Sequence, residues 1–147
     1  MKIKILAIGK LKKKFLIDAV AEYLKRLQNH ATVKIIELNE RRTVDEECEI
    51  LISHISKDEW TCLLDVHGEE MPSEKLAQII SSLTLHGQSN LTFIIGGAFG
   101  INDKLRKAVD FRLSLSKMTF THQMTRLILI EQIYRAFKIN SGEPYHW

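Results

Sequence analysis

Strand-like and helix-like segments alternate along the chain, and this alternation restricts the fold more than any other feature. Strands are predicted by the apolar runs KIKILAIG, TVKIIEL, WTCLLDV, LTFII and FRLSLS. Between them, apolar residues recur near every 3.6 positions, which predicts helices over 12–28, 43–56, 73–86, 103–109 and 122–140. Ser73 is expected to cap the third helix and Gly87 to end it. The pattern indicates α/β architecture: a single compact domain over 1–147, with a mainly parallel sheet and helices on both faces.

The cellular environment is indicated by what the sequence lacks. The start, MKIKILAIGK, has no long uncharged run like that of a signal peptide. No window approaches the roughly 18 apolar residues of a membrane span. Cys48 and Cys62 form no C-x-x-C motif, and no histidine pair has metal-ligand spacing. We therefore expect a cytoplasmic protein with reduced thiols, no membrane contact and no metal.

Charge is unevenly distributed, although the net charge is only +3. Lysines crowd the first 14 residues, the segment 37–49 is acidic, and the segment 111–147 is basic again. This asymmetry is compatible with an anionic partner, and equally with solvated helix faces.

Three turns are predicted at the carboxyl edge of the sheet, where parallel α/β proteins bind ligands. They are LDVHGEE, GGAFGIND and SLSKMTFTHQ. The glycines match neither the dinucleotide pattern G-x-G-x-x-G nor the phosphate loop that ends in G-K-[ST]. They suit either backbone bared to a ligand or a tight turn made for packing. The third turn is either a ligand contact or an ordinary loop beneath the last helix.

The last predicted helix carries charged side chains on an apolar background. Glu131 and Arg135 are four residues apart, which favours a salt bridge between them. Apolar residues cover enough of the helix for a core face and a second face against another subunit, although packing within one chain is the default expectation.

Long segments of the sequence resemble the RlmH family. FIIGGAFG, LSLSKMTFTHQMTRLILIEQIYRAFKI and GEPYHW resemble these SPOUT-superfamily methyltransferases, which modify pseudouridine in large-subunit ribosomal RNA. The resemblance implies a C-terminal trefoil knot, with S-adenosyl-L-methionine held by the three turns. The cofactor contacts that it implies are Leu64, Gly68, Gly96, Gly97, Gly100, Leu115, Ser116, Lys117, Met118, Thr119 and Phe120.

The resemblance also implies a reaction. A homodimer would methylate N3 of a pseudouridine in 23S rRNA of the 70S ribosome, with the tail of one subunit reaching toward the cofactor of its partner. Removal of the N3 proton requires a base or a cation that stabilises the anion. The implied catalytic residues are His122, Arg135, Tyr145 and His146, and the implied RNA contacts are Arg126, Lys138 and Trp147.

Two positions depart from the family pattern. Thr121 replaces the usual proline before His122, and Trp147 stands where relatives commonly carry a basic residue. Threonine can cap the helix. Two other functions stay open: a knotted methyltransferase acting on another RNA such as tRNA, and a non-enzymatic ribosome-binding factor. The intact glycines and the SLSKMTF loop argue against the non-enzyme.

Overall fold

The computed structural model describes residues 1–146 and contains five strands that alternate with five helices. In chain order these are β1 (Lys2–Ile8), α1 (Lys14–Leu27), β2 (Thr32–Leu38), α2 (Val44–Ser53), β3 (Trp60–Glu70), α3 (Ser73–Leu85), β4 (Asn90–Ile95), α4 (Asp103–Ala108), β5 (Phe111–Ser114) and α5 (His122–Ser141). The predicted α/β alternation is confirmed. Among the described residues, no helix is both long enough and apolar enough to cross a membrane.

The strands form one sheet in the order β2-β1-β4-β3-β5, and every neighbouring pair is parallel. All five carboxyl ends therefore lie at one edge. Helices α1, α3 and α5 pack on one face, and α2 and α4 pack on the other. Side chains alternate between the two cores: Ile3 and Ile5 belong to one cluster, Leu6 and Ile8 to the other. Burial on both faces explains the apolar runs in β1, in β4 and in the first half of β3.

The third strand is longer than the sequence predicted. We expected LDVHGEE to be a turn, but β3 continues through it to Glu70, so that part of the prediction was wrong. The pairing of β3 with β5 shifts between Leu64 and Glu69, and both residues face Leu113. The bulge contains the residues between Leu64 and Glu69. Their sequence does not alternate between apolar and polar, so it did not predict a strand. Gly68 lies in the bulge, where an added Cβ would be 2.7 Å from the backbone C and O of Arg112.

We expect Gly68→Ala to destabilise the fold by about 1–3 kcal/mol, the usual cost of overpacking a tight contact. The colliding atoms belong to the backbone of β5, which cannot move aside as a flexible side chain does. Chemical denaturation measures this loss. The exposed neighbour Glu70→Ala is the control, with an expected change below about 0.5 kcal/mol. Equal stability of the two variants would contradict the close approach.

Helix ends were predicted with mixed success. Gly87 ends α3 as expected, with φ of +84° and its N–H donating to Thr84 O over 3.1 Å. Ser73 does not cap α3: Pro72 occupies the cap, and Ser73 Oγ donates to Gln132 Oε1 over 2.6 Å, which joins α3 to α5. Thr121 does cap α5, accepting from Met124 N at 3.2 Å. The trefoil knot stays a prediction.

Candidate active site

A cavity of about 710 Å³ opens at the carboxyl edge of the sheet, where the second half of β3 meets the segments that follow β4 and β5. This convergence of three segments was predicted. The predicted cofactor contacts that line the cavity are Leu64, Gly96, Gly97, Gly100, Leu115, Ser116, Met118, Thr119 and Phe120. Gly68 and Lys117 are not among the lining residues, and Gly68 is accounted for by its contact with β5.

The glycine loop after β4 is both packed and exposed. Gly100 N donates to Gly97 O over 3.1 Å, which closes a tight turn. On its inner side the loop lies against α2, since an added Cβ at Gly97 would be 2.7 Å from Glu47 Oε1. Its other side lines the cavity. The packing interpretation is therefore confirmed for the inner side of the loop, and contact of the other side with a ligand stays a prediction.

Glu47 is a buried carboxylate that the sequence analysis did not single out. It is 2% exposed, and its Oε2 accepts from Arg41 N at 3.0 Å. Its Oε1 has no hydrogen-bond partner among the described residues and packs against Gly97, on the side of the glycine loop away from the cavity. In the sequence Glu47 stands among other acids of the first turn of α2, so nothing marks it as the buried one.

Asp65 is a second missed residue, and it organises the wall of the cavity formed by β3. It accepts from His67 N at 3.0 Å, from Arg106 Nε at 3.1 Å and from Arg112 Nη1 at 3.3 Å. Burial acts to raise the pKa of this carboxyl, but the His67 amide and the two guanidinium groups outweigh it, and the pKa lies below its ordinary value. Asp65 thus ties β3 to α4 and β5.

The lowered pKa of Asp65 predicts a loss of stability in acid. A depressed folded-state pKa stabilises the protein above the unfolded pKa of about 3.9, and this contribution disappears as pH falls through the folded value. We expect the wild-type free energy of unfolding to drop more between about pH 6 and about pH 3 than that of Asp65→Asn. Denaturant titrations at both pH values measure this. Asp58→Asn, at an exposed position, should keep the wild-type slope.

The first turn of α5 closes the cavity and anchors the sheet. His122 and Thr125 line the cavity. Arg126, which we predicted to bind RNA, is instead 1% exposed, so that prediction was wrong. Its guanidinium group forms an ion pair with Glu37 and donates to Gly9 O over 3.0 Å. The charge therefore holds the ends of β1 and β2 against α5.

The other predicted catalytic residues lie at the far end of α5. Arg135 Nη1 donates to His146 Nδ1 over 3.1 Å, and the predicted salt bridge from Arg135 to Glu131 is present. Tyr145 Oη donates to Glu131 Oε1 over 2.9 Å. His146 Nε2 lies 2.6 Å from Glu74 Oε1. These contacts fold the tail back onto its own chain.

The basic residue predicted to bind RNA near this end, Lys138, does not present a free charge. Lys138 Nζ donates to Glu143 Oε2 over 2.7 Å, and its side chain is only 14% exposed. The structure therefore does not support an RNA contact by Lys138 within a single chain. Trp147 lies outside the described residues.

A single chain does not bring the four predicted catalytic residues together. His122 and Arg135 are 13 positions apart on one helix, and a rise of about 1.5 Å per residue separates them by roughly 20 Å. His122 is at the cavity, whereas Arg135, Tyr145 and His146 form the tail cluster. The two groups can share one site only if they come from different subunits.

The fold and the cavity define an α/β protein with a candidate ligand site at the carboxyl edge of a parallel sheet. The family described as "Predicted SPOUT methyltransferase" matches residues 1–146, and the chain belongs to this family.

Similar proteins extend this assignment. The chain is 46% identical to the ribosomal RNA large subunit methyltransferase H of Halothermothrix orenii and 43% identical to that of Clostridium novyi, over 99% of both chains in each comparison. The predicted resemblance is thus confirmed. Among solved structures, the tRNA (m1G37) methyltransferase of Aquifex aeolicus superposes with a TM-score of 0.59 and 14% identity, covering 100% of this chain and 75% of that chain. That similarity shows a shared fold.

No group of three or more potential metal-ligating side chains occurs within residues 1–146.

Proposed function

We propose that this chain is an S-adenosylmethionine-dependent methyltransferase that methylates N3 of a pseudouridine in 23S rRNA of the assembled 70S ribosome. We also propose that it acts as a cytoplasmic homodimer. The observation that carries the proposal is the cavity between the glycine loop and α5. It occurs in a chain 46% identical to a protein named for methylation of large-subunit ribosomal RNA.

The cavity fits this cofactor in size and in chemistry. Its volume is within the range of about 300–1,000 Å³ that small-molecule sites occupy. Leu64, Ile95 and Leu113 provide apolar walls for an adenine ring, and the bare backbone of the glycine loop allows close approach. Ser116 and Thr119 add polar groups for the ribose and amino-acid portions. When bound, S-adenosylmethionine supplies an electrophilic methyl group on its sulfonium.

We assign removal of the proton to the histidines at the cavity, and stabilisation of the target base to the tail. His67 and His122 both line the cavity, and imidazole is the side chain best suited to take a proton near neutral pH. Burial, together with hydrogen bonds to Tyr23 and Glu131, raises the pKa of Tyr145. The Tyr145 hydroxyl therefore stays protonated, with its proton donated to Glu131, and does not accept the proton of the target base. Arg135 stabilises negative charge on the base.

A homodimer is supported by the separation of the two groups of residues and by the surface at the cavity. Four apolar side chains there are exposed: Val66 by 40%, Phe99 by 64%, Met118 by 77% and Phe120 by 42%. Grouped apolar side chains of this kind mark interaction surfaces. A partner subunit on this surface would bring its tail cluster to the cavity and exclude water from the reacting groups.

The proposed function is tested by methyl transfer from labelled cofactor to 70S ribosomes, free 50S subunits and bulk tRNA, all from cells that lack this protein. Label in 23S rRNA of the 70S particle alone supports the proposal. Label in tRNA favours the second candidate, a tRNA methyltransferase, whose support is the shared fold with the Aquifex enzyme. No transfer, together with no cofactor binding by calorimetry, leaves a non-enzymatic ribosome-binding factor.

A further inference from the structure

The loops at the two edges of the sheet differ in charge. The loops that follow β1, β2, β3, β4 and β5 contain six cations and one acid, Glu40. The loops that precede β2, β3, β4 and β5 contain one cation, Lys57, and three acids, Asp58, Glu59 and Asp110. Among the loop residues, the excess positive charge therefore lies at the edge that holds the cavity. We call its cations the basic edge: Lys10, Lys12, Lys13, Arg41, Arg42 and Lys117, all exposed.

The backbone of the β1–α1 loop is fixed in place beside the cavity. Lys12 N donates to Gln123 Oε1 over 3.2 Å, and Gln123 is the neighbour of His122 on α5. Leu11 N donates to Glu37 Oε2 over 3.1 Å. The buried guanidinium group of Arg126 joins Glu37 to the carbonyl of Gly9. The lysines of this loop therefore project from an anchored backbone.

The β2–α2 loop lies on the same side of the cavity as the β1–α1 loop, because β1 and β2 are both on the far side of β4 in the sheet. Arg41 N donates to Glu47 Oε2 over 3.0 Å, and Glu47 lies beneath Gly97. Two strand spacings of about 4.8 Å separate β2 from β4, so this loop starts about 10 Å from the glycine loop. Across the cavity, Lys117 lies in the loop after β5. Five of the six cations thus lie on the β1 and β2 side of the cavity, and Lys117 lies on the β5 side.

We infer that the basic edge binds the phosphate backbone of the RNA on either side of the target nucleotide. This inference rests on the proposed function, because it requires RNA as the substrate. A base that enters the cavity must leave its stack, and its flanking phosphates then pass over the cavity mouth. The basic residues of α5 offer no free cation for them within a single chain. Arg126 is buried, and both Arg135 and Lys138 are in ion pairs. The basic edge supplies exposed cations at that position.

The test compares three triple variants with the wild type. Lys10→Gln/Lys12→Gln/Lys13→Gln removes half of the basic edge. Lys2→Gln/Lys25→Gln/Lys57→Gln removes the same charge from exposed positions elsewhere and is the matched control. Lys10→Arg/Lys12→Arg/Lys13→Arg keeps the charge. Binding to 70S ribosomes is measured at about 50 and about 200 mM salt, alongside methyl-transfer kinetics and cofactor calorimetry.

Loss of three phosphate contacts flattens the dependence of binding on salt. A fourfold rise in salt should weaken ribosome binding by every one of these proteins. The loss should be about 20- to 40-fold larger for the wild type, the control and the arginine variant than for the Lys10/Lys12/Lys13 glutamine variant. That variant should have a raised KM for ribosomes, with kcat and cofactor affinity unchanged. Equal salt dependence of the glutamine variant and its control would overturn the inference. If the wild type binds ribosomes but transfers no methyl group, the proposed function fails, and the salt comparison still decides the inference.

Discussion

Arg126→Met will lower the free energy of unfolding by about 3 kcal/mol, the low end of the cost of removing one partner from a buried ion pair. The low end applies because Glu37 keeps 34% of its side chain exposed and can be hydrated. Gly9 O also loses a hydrogen bond from Arg126 Nη2. For a domain of this size the melting temperature should fall by about 6–12 °C. Urea denaturation and thermal melts measure both quantities.

The matched control is Arg42→Met, on the exposed loop after β2, for which the change should stay below about 0.5 kcal/mol. The comparison also separates the buried role of Arg126 from the RNA contact that the sequence suggested. A variant with wild-type stability and weakened RNA binding would restore the RNA contact and contradict the burial of this side chain.

Two inactive variants should restore activity to each other when their subunits are mixed. Ala98→Trp places an indole at the cavity wall, and truncation after Glu143 removes Tyr145 and His146. Each variant alone should lose methyl transfer by about 100-fold or more, because the reacting groups are no longer positioned. Equal mixing makes half of the dimers mixed, each with one intact composite site, so activity should return to about a quarter of wild type. Methyl transfer to 70S ribosomes measures the recovery.

Recovery on mixing is specific to a site built from two subunits. If the tail served the cavity of its own chain, a mixed dimer would contain no complete site and would stay inactive. Ala98→Trp mixed with itself, after the same denaturation and refolding, is the control for the exchange procedure. Thermal melts of the truncated chain show whether loss of the Tyr145–Tyr134 ring contact, at 4.8 Å between centroids, alters folding.

Local patterns in the sequence were sufficient to predict the elements of the fold. Each strand buried on both faces is an apolar run, and Gly87 ends its helix through a conformation that a side chain would oppose. The errors arose where distant partners decide the local structure. The extension of β3 depends on a bulge against β5, and the Ser73 hydroxyl is engaged by Gln132 from a helix 59 positions later.

The sequence predicted the position of the candidate site, but it did not identify the buried charged side chains that hold the walls of the cavity in place. Turns at the carboxyl edge of a parallel sheet converge in any such fold, so three of them pointed to the cavity. Asp65 and Glu47 act through partners that the sequence does not place near them, namely Arg106, Arg112 and the underside of Gly97. Arg126 was misassigned because a basic residue on a helix is exposed by default, and its burial depends on Glu37 from β2.

The hydrogen bonds between α5 residues Gln123 and Arg126 and the β1–α1 loop determine when this loop can become ordered during synthesis. They join positions more than 110 residues apart, and α5 follows the other described elements in chain order. A nascent chain can begin to pair its first two strands, but its first loop has no anchor and its ligand cavity has no second wall until α5 has emerged. The wall of the cavity that α5 provides is therefore the last part of the cavity to form during synthesis.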